Sequence, residues 1–522
     1  MKDHSFHRHL LFPCLLSLIF FLIFVGLPSH AMQVAPTAER PLHIAWDAAP
    51  RALDPRYATD ANSQYLEDLV HCSLFTYDPN GNLKGELATQ WHWLDTLTLE
   101  VQLDRRFKFR SGKPVSAADI LATYGSLLKE DLKPPASRRG ALRNLSRVEA
   151  SGDRLIFYLK EPDSTFVQNL VIGVLPQEFA LKPVHDLTSL DSCGMYYATA
   201  VNSSHIELRI NELYPSDPPN RLKQIVIQFI ADETTRFAKL RTGETDLVQG
   251  GISRDKLPKL SSQIPHLKIL RRPGLTSSYL GFNAQHPILA RKEVRQAISM
   301  AIDRESIILY VLRNYATAAN GLLTPDSPFH SEQIPLPKYD PTAASQLLDE
   351  LGYPRKLDGS RLTLSLKTTT DLTRLIVAKA IAQQLGKIGV LVKVESLEWS
   401  RFKKDVDQGS VELWTLSWIG FKDPDILRHA FGSESFPPQG GNRGRYSSPK
   451  LDELLKRGVS DFSLENRKEI YLQAQKLIAE ELPYAMLWHE DRIVVASERV
   501  QGFVPFADGR YRGLGQTWLA QP

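Results

Sequence analysis

The chain of 522 residues lacks most of the short motifs that announce a chemistry. It has no Gly-x-Ser-x-Gly, no His-Glu-x-x-His, no phosphate-binding loop and no Cys-x-x-Cys pair, so the signatures of common hydrolases and dithiol enzymes are missing. "GRYRGLG" (Gly509–Gly515) is glycine-rich, but its spacing misses the dinucleotide fingerprint and reads as a turn. Charge is almost balanced, 63 basic against 59 acidic residues for a net +4, so nothing demands nucleic acid or an acidic partner. Runs of like charge, fixed-period repeats and low-complexity segments are absent. Histidines are scattered without ligand spacing. "WHED" (Trp488–Asp491) groups one with two acids and reads as the solvated end of an edge strand. No catalytic residue, metal site or cofactor is expected.

Long apolar runs are confined to one place. Lys2 and Arg8 precede Leu10–Leu27, apolar almost throughout, and Ser29–Ala31 offers small residues for cleavage before Met32. That is the layout of a signal peptide over residues 1–31, although a run of about 18 residues is also long enough for an uncleaved anchor. Cysteine is scarce, at three. Cys14 lies inside the apolar run, not behind it, which argues against lipidation. Export leaves Cys72 and Cys193, which can bridge in an oxidising compartment or simply be buried small residues.

The remainder is 43% hydrophobic over the whole chain and reads as two or three globular domains. Strands are expected at Leu42–Trp46, Leu97–Leu103, Leu155–Leu159, Ile206–Ile210, Ile225–Phe229, Leu362–Leu366 and Val390–Val394, from alternation and β-branched content. Helices are expected over Asp60–Leu74, after Ser116, from Asp232 to Gly243, around Val294–Ile302, from Asp340 to Gly352, over Thr370–Ile388 and around Ile470–Ile478. Ser448, Pro449 and Gly458 suggest cap, first turn and C′ of another. Interleaved strands and helices make the class α/β.

"LWTLSWIGFKDPDILRHAF" (Leu413–Phe431) stands out. An aromatic strand breaks at Gly420 into a polar turn. Trp414 alternates with apolar neighbours and reads as core. Trp418 sits at the strand end, where clefts in α/β proteins open.

The segments together resemble the bacterial extracellular solute-binding proteins of family 5, the oligopeptide- and dipeptide-binding components of ABC importers. The resemblance runs through "LDPRYATDANSQYLEDLVHCSLFTYDPNGNLKGELATQW", "LEVQLDRRFKFRSGKPVSAADI", "TSSYLGFNAQHPILARKEVRQAISMAIDRESII", "YDPTAASQLLDELGYP" and "NRGRYSSPKLDELL", in the family's order. It implies a two-lobe periplasmic-binding-protein fold of type II with an extra third domain on lobe one. Lobe one would use residues 32–85, 169–280 and 490–522, the extra domain 86–168 and lobe two 281–489. It also implies a job without chemistry: a monomer in the periplasm captures a peptide and hands it to an inner-membrane permease with its ATPase subunits. Carried over to this sequence, the cleft would include Thr59–Ser63, Tyr279, Asn283, Trp399, and the strand Thr415–Gly420 with Ser417 and Trp418. Arg443 and Arg445 read either as a solvated loop or as cations facing an anionic end of the ligand.

One position departs from the pattern. The resemblance implies that peptide-binding members usually carry an acid two or three residues after the Trp-x-x that ends this strand, which meets the ligand's ammonium. Phe421 stands there here, and Asp423 is the candidate substitute, although Asp-Pro-Asp also reads as a turn and helix cap. A missing charge-assisted bond costs roughly 1.5–3 kcal/mol. A non-peptide cargo (a metal chelate, an opine-like compound or a sugar) is therefore an alternative, as is a membrane-retained envelope chaperone or sensor for peptides.

Overall fold

Two long strands, Leu267–Phe282 and Tyr484–Ser497, form the spine of the computed structural model, which describes residues 40–129, 131–216 and 222–520. The leader expected over 1–31 lies outside the described residues. No described helix is long and apolar enough to cross a membrane.

The two strands lie side by side, antiparallel, in the middle of an eleven-stranded mixed sheet. On one flank of Leu267–Phe282 come Leu413–Ile419, Leu362–Thr369 and Val390–Leu397. On the other flank, beyond Tyr484–Ser497, come Leu247–Gln249, Leu42–Trp46, Gln224–Phe229, His205–Ile210 and Tyr196–Val201. The pairing of the spine slips between Pro273 and Thr276. Proline has no N–H for a ladder, and a Cβ on Gly274 would stand 2.5 Å from the Glu490 carbonyl, so the chain needs glycine at this close approach. Residues 267–272 thus belong to one flank and 276–282 to the other. The architecture is the expected α/β, two-lobe fold of type II.

A separate four-stranded antiparallel sheet, Ala88–Asp95, Thr98–Leu103, Arg154–Leu159 and Leu145–Ser151, packs on the helix Ala117–Leu127. Its alternating Leu99, Val101, Leu155 and Phe157 are fully buried. Each such side chain contributes about 1.5–3 kcal/mol of transfer free energy. Cys72 and Cys193 form a disulfide within the same core, with Cα atoms 5.3 Å apart.

Helix starts follow the expected capping chemistry. Asp232 accepts from Thr235 N–H, Asp340 from Ala343 N–H ahead of Pro341, and Ser448 from Leu451 N–H ahead of Pro449. Gly243 closes its helix at φ 75°.

Three expectations need correction. The helix over Asp60–Leu74 spans only Ala61–Val70, because His71 turns extended and Cys72 leads to its bridge. Gly458 is not a C′ residue. Its helix runs on to Ser460, and a Cβ there would strike the Tyr471 ring at 2.7 Å, so the glycine serves packing. "WHED" is not a solvated strand end. It lies in the spine, with Trp488, His489 and Asp491 buried and His489 Nδ1 2.9 Å from Ser277 Oγ. Burial pushes the His489 imidazole down to about 4.

Candidate functional site

The strand Leu413–Ile419 is clamped by the spine on one edge and Leu362–Thr369 on the other. Both faces are covered, so Leu413 and Trp414 are fully buried. Gly420, at φ 79°, turns the chain out of the sheet, and its N–H is held by the Leu275 carbonyl at 2.8 Å. The next residues form the wall of a cavity of about 490 Å³, within the ordinary size of a ligand site.

Phe329, Phe421, Lys422, Asp423, Asp425 and Arg428 line this wall. The opposite wall comes from the turn after Phe75–Tyr77 and from the segments flanking the small sheet: Tyr77, Asn82, Arg143, Asn144, Asp163 and Gln168. Burial pushes the Tyr77 phenol up to about 12.

Carboxylates on the first wall have cationic partners. Asp425 receives Arg428 through two bonds, Nε at 2.7 Å and Nη2 at 2.6 Å. Burial works against the Arg428 charge, but Asp425 outweighs it and holds the guanidinium above its usual range. Asp423 Oδ1 accepts the Asp425 N–H at 2.9 Å, and Arg467 stands 3.5 Å from its other oxygen. Burial still dominates and pushes the Asp423 carboxyl up to about 6, with Arg467 opposing. Arg467 also lies over the Phe329 ring at 5.0 Å. Across the cavity, Asp163 Oδ1 accepts both the N–H and the hydroxyl of Thr165, at 3.0 and 2.7 Å. Burial raises its carboxyl, and the Asp425 charge adds to that.

Among the described residues, the two sides of the cavity touch through the following contacts. Lys422 Nζ donates to Asn82 Oδ1 at 2.6 Å and to the Asn80 carbonyl at 3.2 Å. Ser164 donates its N–H and hydroxyl to the Val459 carbonyl, at 2.8 and 2.9 Å. Trp93 meets Phe462 edge to face at 4.9 Å.

Of the residues singled out from sequence, Asp423 lines the cavity. Phe421 also lines it, 42% exposed. Trp418 is buried behind it, its ring edge-on to Phe421 and His429 with the Arg443 guanidinium 5.1 Å away. Arg443 is ion-paired with Asp407 at 3.1 Å, and Arg445, at φ 52°, donates to the Asp407 carbonyl. Tyr279 is fully buried, stacked on Tyr484 at 3.9 Å. Asn283 ties down a bend by donating to the Val411 and Gly409 carbonyls and accepting from Gln285 N–H. Ser417 Oγ bonds Ser278 Oγ at 2.7 Å. Trp399 opens the helix Trp399–Gln408, 38% exposed. In Thr59–Ser63, Asp60 caps a helix and Ser63 Oγ accepts two backbone N–H groups. None of these candidates but Asp423 and Phe421 lines this cavity.

Tyr77, Arg143, Asn144, Asp163, Gln168 and Phe329 were not anticipated. Tyr77 ends a short strand, Gln168 lies in a single 3-10 turn and the others sit in turns and connections, and no periodicity or spacing distinguishes them. "EPDSTF" signals a turn at Asp163, but not that the turn faces a cavity.

The family model for bacterial extracellular solute-binding proteins, family 5 Middle, matches residues 82–436. The oligopeptide-binding protein AppA of Bacillus subtilis is 27% identical over 90% of this chain and 90% of its own. Its solved structure with a nonapeptide aligns at TM-score 0.79 and 26% identity, over 92% of this chain and 99% of that one. NikZ from Campylobacter jejuni, solved with Ni(L-His), aligns at TM-score 0.80 and 24% identity over 91% and 99%, a likeness of fold.

Proposed function

The chain belongs to the bacterial extracellular solute-binding proteins of family 5, and on that premise we propose that it captures peptides between two lobes for an ABC importer. The observation that carries the reading is the cavity of about 490 Å³ between the strand-end wall and the wall built around the small sheet. Nothing has to react there. Enclosure, aromatic surface and fixed polar groups suffice for capture, and lobe closure around the ligand would present it to a permease and its ATPase subunits. The slip at Pro273–Thr276 in the spine is the natural hinge. Residues 32–85, 169–280 and 490–522 would move as lobe one, 86–168 as its extra domain and 281–489 as lobe two. The working compartment would be the periplasm.

A second reading, a non-peptide solute such as a metal chelate, is favoured by one observation: Phe421 lines the cavity with hydrocarbon at the position where the family resemblance leads one to expect an acid. Mass spectrometry of cargo carried through purification from the native host separates the two. Short peptides are expected; a single non-peptide compound at one-to-one stoichiometry would replace the first reading by the second.

A further inference from the structure

Both cavity walls carry charge, and they differ in whether it is already matched. On the strand-end wall Asp425 holds Arg428, Asp423 faces Arg467, and Lys422 donates to two oxygens of the opposing turn. On the other wall stand one acid and one base without such partners among the described residues. Asp163 is 7% exposed, and among the described residues its carboxylate is hydrogen-bonded to Thr165 alone. Arg428, which acts on it through space, is already bound at both ends of its fork by Asp425. Arg143 lines the cavity as an exposed residue, and among the described residues no acceptor or carboxylate is bonded to its guanidinium. Its backbone is held, because its N–H reaches the Gly140 carbonyl and its own carbonyl accepts from Lys160 Nζ.

An unmatched carboxylate and an unmatched guanidinium on one wall are complementary to a zwitterion. A carboxylate set in a cavity wall gains most from a charge-assisted donor, and a guanidinium presents a fork that fits a carboxylate. We infer that the wall formed by residues 140–169 reads the two ends of a free peptide, Asp163 taking the ammonium and Arg143 the carboxylate. Phe421 on the far wall is then a contact for side chains, and the absence of an acid at that position is compensated across the cavity. The assignment rests on the peptide reading above.

The test uses a randomised mixture of three- to five-residue peptides in free, N-acetylated and C-amidated forms, equilibrated with the full-length exported protein and read by mass spectrometry. For the wild type, each blocking group is expected to weaken retention roughly tenfold or more. In Asp163→Asn the acetylation penalty disappears and the amidation penalty stays; the asparagine oxygen can still accept from Thr165. In Arg143→Gln the pattern reverses. Thermal melting of each variant verifies folding. If Asp163→Asn fails to fold, Arg143→Gln, on an exposed side chain, still decides the assignment through the amidation penalty. An acetylation penalty that survives in Asp163→Asn, or that vanishes in Asp423→Asn instead, puts the ammonium on the strand-end wall and overturns the assignment while peptide binding stands. If the wild type retains no peptide in any form, the peptide reading falls and this inference falls with it.

Discussion

The two walls of the cavity are built in opposite ways. The strand-end wall is anchored in the large sheet, and its charges are internally matched. The other wall hangs on a small sheet whose core is closed by the Cys72–Cys193 bridge, and its Asp163 and Arg143 have no ion-pair partner among the described residues. The difference teaches that a conspicuous sequence element can be scaffold. Trp414, Trp418 and Tyr279 hold one wall in place, while the groups free to meet a ligand sit in turns of the other.

Three measurements would break or sharpen this contrast. The largest effect is expected from Cys72→Ser with Cys193→Ser, because the bridge closes a sequence separation of 121 residues. Loss of about 4 kcal/mol should appear as a lower urea midpoint, and hydrogen exchange should rise around the small sheet while the strand Leu413–Ile419 stays protected. Equal loss of protection in both would erase the distinction.

Asp423 supplies the next. Its folded carboxyl titrates near 6, above the ordinary value of 3.8, so the folded protein holds that proton longer than the unfolded chain. The group's stability contribution is therefore present below about pH 4 and is lost as pH rises through about 6. Wild-type stability measured against Asp423→Asn should fall by about 2 kcal/mol across that window. A flat difference would mean that Arg467 fully offsets the burial.

The smallest effect concerns the contact between walls. Trp93→Ala and Phe462→Ala should show a coupling energy of about 1 kcal/mol in a double-mutant cycle. Coupling indistinguishable from zero would say that the walls do not meet there in solution.

Much of the fold was legible because local chemistry repeats. Asp232 with Gly243, Asp340 with Pro341, and the alternation of Leu99 and Val101 each report their element from a few neighbours. Failures came where tertiary packing decides. Gly458 has the spacing of a helix stop, yet the Tyr471 ring, thirteen residues on, is what requires it. "WHED" looks polar enough for solvent, yet its strand is sandwiched between neighbours distant in sequence. The site was legible in outline only. Phe421 and Asp423 were found because they follow a recognisable strand, whereas Asp163 and Arg143 reach the cavity through the packing of the small sheet and its flanking segments, which no local pattern reports.

The spine strand Tyr484–Ser497 has a consequence for how the chain comes into being. It supplies Val494 and Ala496 to a core that also holds Ile44 and Leu247, and Phe503, Tyr511 and Leu514 complete that core. The small sheet, by contrast, lies within Ala88–Leu159 and needs no late partner for its strands. During synthesis from the N-terminus, the small sheet can assemble early, but the core around Ile44 stays unsealed until the last forty residues have emerged. Contacts this distant in sequence form slowly, so the core around Ile44 is the part of the molecule completed last, well after the small sheet has its strands in place.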